Sequence, residues 1–122
     1  MTKKNNEKRV IKIVKDYNPN SDLFVEIKKD EKVIYDKMYK GNLGWENWAK
    51  CSYMGKTCYI PKQYLYISDN QYYLNRYYNS TELTVTKGML FVIDFCLNGF
   101  AYGSLYETNI EGWVPLSSLE ID

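Results

Sequence analysis

The 122-residue chain contains no histidine. That removes the commonest general base and the commonest metal ligand. No glycine-rich phosphate loop and no G-x-S-x-G element is present. There are three cysteines, Cys51, Cys58 and Cys96. Cys51 and Cys58 are not joined by a second pair or a histidine, so zinc-ligand spacing is missing. No base is marked beside any thiol. The expectation is a non-enzyme with no catalytic residues, no metal and no cofactor. Apolar runs are short, none approaching the roughly 18 residues of a membrane span, so no membrane partner is expected. The start, MTKKNNEKRV, lacks the apolar centre of a secretory signal. With an odd cysteine count, this predicts reduced thiols and a cytoplasmic location.

Charge of one sign is also scarce, because the net charge is +1. Cut at residue 66, however, the two parts differ. Residues 1–66 carry 14 Lys and Arg against 8 acids, and residues 67–122 carry 2 against 7. This contrast suggests docking between a basic and an acidic half. A nucleic acid is not the expected partner, since the acidic part interrupts any continuous basic track.

What the chain has in abundance is tyrosine, with thirteen residues. Tyrosine buries a ring while keeping a polar tip, which suits it to contact surfaces. The patterning around these residues is β throughout. RVIKIV (Arg9 to Val14) is β-branched. In Phe24 to Asp36, Val25, Ile27, Val33 and Tyr35 alternate around KKDE, which predicts strand, turn, strand. WENWAKCSY and TCYI follow as strands separated by MGK. The second of these stops at Pro61, which cannot donate to a ladder. The order then recurs. ELTVTKGMLFVIDF gives strand, turn and strand, FAYGSLY another strand, and WV stops at Pro115. Glu26 to Lys29 aligns with Thr84 to Lys87 at an offset of 58, and the two prolines lie 54 apart. Such a repeat predicts an all-β chain of two small five-stranded barrels in tandem. The expected layout is a disordered basic tail at 1–8, one domain at 9–67 and another at 68–122. Helix is expected only as a single turn after each proline.

The elements IVKDY (Ile13 to Tyr17), VEIKKDE (Val25 to Glu31), a tryptophan at Trp45 or Trp48, and CYIPKQYL (Cys58 to Leu65) resemble an SH3 domain. The second copy offers LTVTKGM, NGFAYG and GWVPLSSL, endings similar to those of bacterial-type SH3 domains. Its first strand is harder to place, and YYLNRYY (Tyr72 to Tyr78) is the candidate. Departures from the pattern include Lys15 in the first strand, Cys58 in place of a glycine, Asp30 at a turn glycine and Ser118 in place of the final tyrosine.

The resemblance implies a shallow aromatic groove that takes an extended, proline-containing peptide. On the first copy it would be lined by Tyr17, Trp45 or Trp48, Tyr59, Pro61 and Tyr64. Trp45, which directly follows the loop at Gly44, is the favoured tryptophan. Of the acidic loop residues Asp16, Asp22 and Glu46, one would select a basic anchor in the ligand. A weaker groove on the second copy would use Tyr78, Phe100, Trp113 and Pro115. The resemblance also leaves open a cell-wall peptide as ligand, or an assembly role with the aromatics in an interface.

Overall fold

The computed structural model describes residues 9–19, 24–39 and 47–121. Among them the chain is all-β. Its strands are β1 (Arg9–Lys12), β2 (Glu26–Ile27), β3 (Lys32–Met38), β4 (Trp48–Tyr53), β5 (Lys56–Pro61), β6 (Leu65–Ser68), β7 (Gln71–Leu74), β8 (Tyr78–Asn79), β9 (Leu90–Leu97), β10 (Phe100–Leu105) and β11 (Glu111–Pro115). Single 3-10 turns at Lys62–Tyr64 and Leu116–Ser118 follow Pro61 and Pro115, as the two prolines predict. No helix among the described residues is long and apolar enough to cross a membrane.

The hairpins are set by turn chemistry. Met54-Gly55, Asp69-Asn70 and Asn98-Gly99 all hold positive φ at both positions. That is the two-residue geometry whose twist matches antiparallel strands. They join β4 to β5, β6 to β7 and β9 to β10. Asp30 takes φ 70° and Gly88 φ 101° at matching places in the repeat. Asp and Gly both tolerate this region.

Three sheets result, with strand orders β1-β9-β10-β11, β2-β8 and β5-β4-β3-β7-β6. None of them closes into a barrel, which differs from the expected pair of closed barrels. The two predicted strand-turn-strand units also do not pair internally. Instead, β2 pairs with β8, and β3 with β4 and β7. Val85 bridges Tyr17, while β9 pairs with β1 and β10.

The chain divides into two compact units, residues 1–19 with 83–122, and residues 20–82. The expected boundary between 67 and 68 is not where the contacts part. The second unit is an insertion into a loop of the first. The reason lies at Asp69-Asn70. A turn of two residues must lay β7 antiparallel against β6, with Leu65 opposite Leu74 and Ser68 opposite Gln71. The strand expected to begin the second copy is thereby kept in the first, where it also pairs with β3. The discontinuous unit receives β1 in the matching place. Ile13 bridges Leu119 there, and its amide donates to the Met89 carbonyl at 2.8 Å.

Apart from this exchange, the two units repeat each other. The five-stranded and four-stranded sheets each carry one register slip, at Asp36 of β3 and at Asp94 of β9. Trp48 lies opposite Pro61, and Phe100 opposite Pro115. The discontinuous unit packs Ile13, Leu83, Val85, Phe91, Ile93, Ala101, Val114 and Leu119 into one core. The inserted unit buries Val25, Ile27, Val33, Trp48, Ala49, Cys51, Cys58, Ile60, Tyr64, Leu74 and Tyr78.

Division by units also removes the charge contrast. Residues 20–82 carry 9 Lys and Arg against 8 acids, and the remainder carries 7 against 7. The basic and acidic parts were a product of where the chain was cut.

Candidate functional site

The inserted unit gathers four tyrosines from three separate stretches of chain. Pro61 ends β5, an edge strand where a missing N–H costs nothing. The 3-10 turn that follows swings Tyr64 back against the sheet, leaving it 6% exposed. Its ring meets Tyr78 edge to face, with centroids 5.6 Å apart and an interplanar angle of 83°. Tyr78 is 2% exposed, and its hydroxyl donates to the Tyr59 carbonyl at 2.6 Å. Tyr59 packs against Tyr39 with centroids 5.5 Å apart. Tyr59 and Tyr39 are both half-buried, so the cluster has a buried floor and an accessible rim.

One cation belongs to this cluster. The Arg76 guanidinium lies over the Tyr64 ring, 4.5 Å from its centroid. Hydrogen bonds stitch the bend carrying it to the 3-10 turn. Asn75 N donates to Tyr64 O at 2.8 Å, Asn75 Nδ2 to Gln63 O at 2.9 Å, and Arg76 Nε to Asn75 Oδ1 at 3.0 Å. Arg76 itself is exposed.

The hydroxyls of Tyr59, Tyr64 and Tyr78 are poor acids. A hydrogen bond with Tyr39, then burial, pushes Tyr59 up to about 12. Burial raises Tyr64, partly offset by the nearby Arg76 charge. Complete burial raises Tyr78 well above the usual tyrosine value, and the carboxylate of Glu82 adds to this. The thiols follow the same physics. Burial pushes Cys51 up to about 12 and Cys58 to about 11. Cys51 and Cys58 are cross-strand neighbours with free thiols, and both are protonated at neutral pH, which makes them weak nucleophiles. Cys96 is exposed. Among the described residues, no group of three or more Cys, Asp or Glu could hold a metal ion.

The expected groove is only partly assembled. Tyr59, Pro61 and Tyr64 come together, with Pro61 and Tyr64 buried. Trp48 is buried in β4 opposite Pro61, so it packs rather than faces a ligand. Trp45, Asp22 and Glu46 lie outside the described residues. Tyr17 belongs to the other unit, where it bridges Val85 and packs against the Ile13 core. Tyr78, expected in the second groove, instead completes the first cluster. The β6–β7 turn carries it there, and it stands in the inserted unit where Tyr17 stands in the other. Tyr39 and Arg76 were not foreseen. The signal for Arg76 was its place two residues after the core residue Leu74, matching Lys15 two residues after Ile13.

In the discontinuous unit, a cross-strand row replaces the expected second groove. Tyr102 lies opposite Phe95 on one side and Trp113 on the other. The ring centroids are 5.7 Å apart for Phe95 and Tyr102, and 5.1 Å for Tyr102 and Trp113. Tyr102 also donates to Glu111 Oε1 at 3.0 Å. Phe100 and Trp113 are buried, and Pro115 is half-buried. Ser118 is buried where the inserted unit has Tyr64.

Comparison with protein-family models, with curated proteins and with solved structures returns no match for this chain. Its own geometry therefore carries the functional reading.

Proposed function

We propose that the inserted unit is a non-enzymatic recognition module that binds an extended peptide across Tyr39 and Tyr59. Pro61, Tyr64 and Tyr78 form the floor that holds these rings in place. The observation that carries this reading is the assembly of Tyr39, Tyr59, Tyr64 and Tyr78 from three separate stretches of chain into one cluster. Rigid tyrosines supply contact area at a low entropic cost. An SH3-like reading of both units is supported by the strand order and by the 3-10 turn after each proline. Only the first strands are exchanged between the two copies. A site of this kind binds in the micromolar range, roughly −8 kcal/mol.

An NMR titration of isotope-labelled protein with proline-rich peptides tests this reading, with a peptidoglycan digest as a second arm. The amides around Tyr39, Tyr59 and Arg76 should shift together as peptide is added. A Tyr59→Ser variant that remains folded should lose the response. If only the digest moves these signals, the ligand is a cell-wall peptide. If neither moves them, the cluster is structural.

A further inference from the structure

We infer that the peptide taken by the inserted unit is anchored by a carboxylate, held by Arg76 at the Tyr64 end of the cluster. This rests on the recognition reading above. The sequence pattern pointed to a basic anchor held by acidic loop residues. Two of those residues, Asp22 and Glu46, lie outside the described residues. The third loop acid, Asp16, is in the other unit, where it accepts the Lys87 amide at 2.7 Å. The charge that the structure does bring to the tyrosine cluster is positive.

Arg76 is built as an anchor. Its guanidinium carbon lies over the Tyr64 ring and its Nε donates to Asn75 Oδ1, so the fork is pre-oriented. Asn75 is in turn tied to Gln63 and Tyr64. A planar guanidinium suits bidentate pairing with a carboxylate, and little side-chain entropy remains to be lost. Among the described residues, no carboxylate forms an ion pair with it; the ion pair they contain is Lys50–Asp36, at 3.8 Å. Lys62 opens the 3-10 turn that carries Tyr64, so a second cation flanks the same end in sequence.

Three peptides with one proline-containing body test the proposal. One carries Glu at the flank, one Gln and one Arg. Affinity is read by NMR shifts of the full chain at low and high salt. The Glu peptide should bind about threefold to tenfold tighter than the Gln peptide, with the Arg peptide weakest. The advantage should shrink in high salt. Arg76→Gln should abolish the preference for the Glu peptide over the Gln peptide. Arg76→Lys should retain part of it, and Arg76→Glu should favour the Arg peptide. Amide dispersion verifies that each variant is folded. Equal binding of all three peptides by the native protein overturns the anchor and leaves the recognition reading standing. A preference that survives in folded Arg76→Gln also overturns it. If no peptide shifts the Tyr39 and Tyr59 region, both readings fall.

Discussion

The Tyr78 hydroxyl donates to the Tyr59 carbonyl at 2.6 Å, tying the segment after β7 to an edge strand 19 residues earlier. Tyr78 is buried, so its hydroxyl relies on protein partners. Tyr78→Phe keeps the ring but strips this bond. It should cost about 1 kcal/mol, more if the carbonyl is left without a partner. Urea denaturation followed by tryptophan fluorescence measures this. An unchanged midpoint would show that the bond contributes nothing net.

Gly103 admits no side chain. A Cβ there would collide with the Val92 carbonyl oxygen and lie 3.1 Å from Phe91 Cζ. The first contact is with backbone in a central strand pair, so neither side can give way cheaply. Gly103→Ala should cost about 3 kcal/mol or more. The check is the thermal midpoint, and a shift of only a degree or two would contradict the packing at this slip in register.

Met54 is 82% exposed and holds φ 50° in the β4–β5 turn. It makes no use of its size there, and an unbranched apolar residue is disfavoured in that region. Met54→Asn should stabilise the protein by about 0.5 to 1 kcal/mol, since Asn tolerates this conformation. A loss of stability would mean that the Met54 side chain packs in a way its exposure does not reveal.

Stability should fall in alkali. Cys51 and Cys58 rise from 9.0 to about 12 and about 11, Tyr59 rises from 10.0 to about 12, and burial raises Tyr78 well above its usual value. The unfolded chain therefore loses these protons before the folded chain does. The contribution is fully present below pH 9 and is lost as pH rises from 9 towards 12. Urea midpoints at pH 7.5, 9 and 10.5 should be level at first and then drop. A thiol reagent at pH 8 should modify Cys96 well before Cys51 or Cys58. Rapid reaction of all three would show that the buried pair opens readily.

The inserted unit should fold by itself. Its two ends run side by side, with Glu26 opposite Asn79, Ile27 opposite Tyr78, and Ser80 N donating to Val25 O at 2.9 Å. A chain of residues 20–82 keeps all of its own strand pairings. Dispersed amide signals and a cooperative melt are expected. A random-coil spectrum would show that the insertion depends on the rest of the chain.

Much of the local structure was legible in the sequence. Met54-Gly55 and Asn98-Gly99 announce their hairpins, and Pro61 and Pro115 end their strands for want of an N–H. Alternating Val25, Ile27, Leu83 and Val85 all reach a core. The part of the site within one stretch, Tyr59 to Tyr64, was visible for the same reason. Tyr39, Arg76 and the place of Tyr78 were not, because they come from segments whose pairing partners are distant in sequence.

The strand periods, the turns and the repeat follow from local rules, and the amino-acid sequence determines them by itself. Strand partnership was decided only in the tertiary structure. Arg9–Lys12 and Gln71–Leu74 are both β-patterned, and backbone hydrogen bonds do not distinguish one such strand from another. The β6–β7 turn made that choice. Two residues can reverse a strand onto its neighbour but cannot carry it to another sheet. So β7 stayed beside β6, β1 took the matching place beside β9, and Tyr78 and Arg76 came to rest against Tyr64.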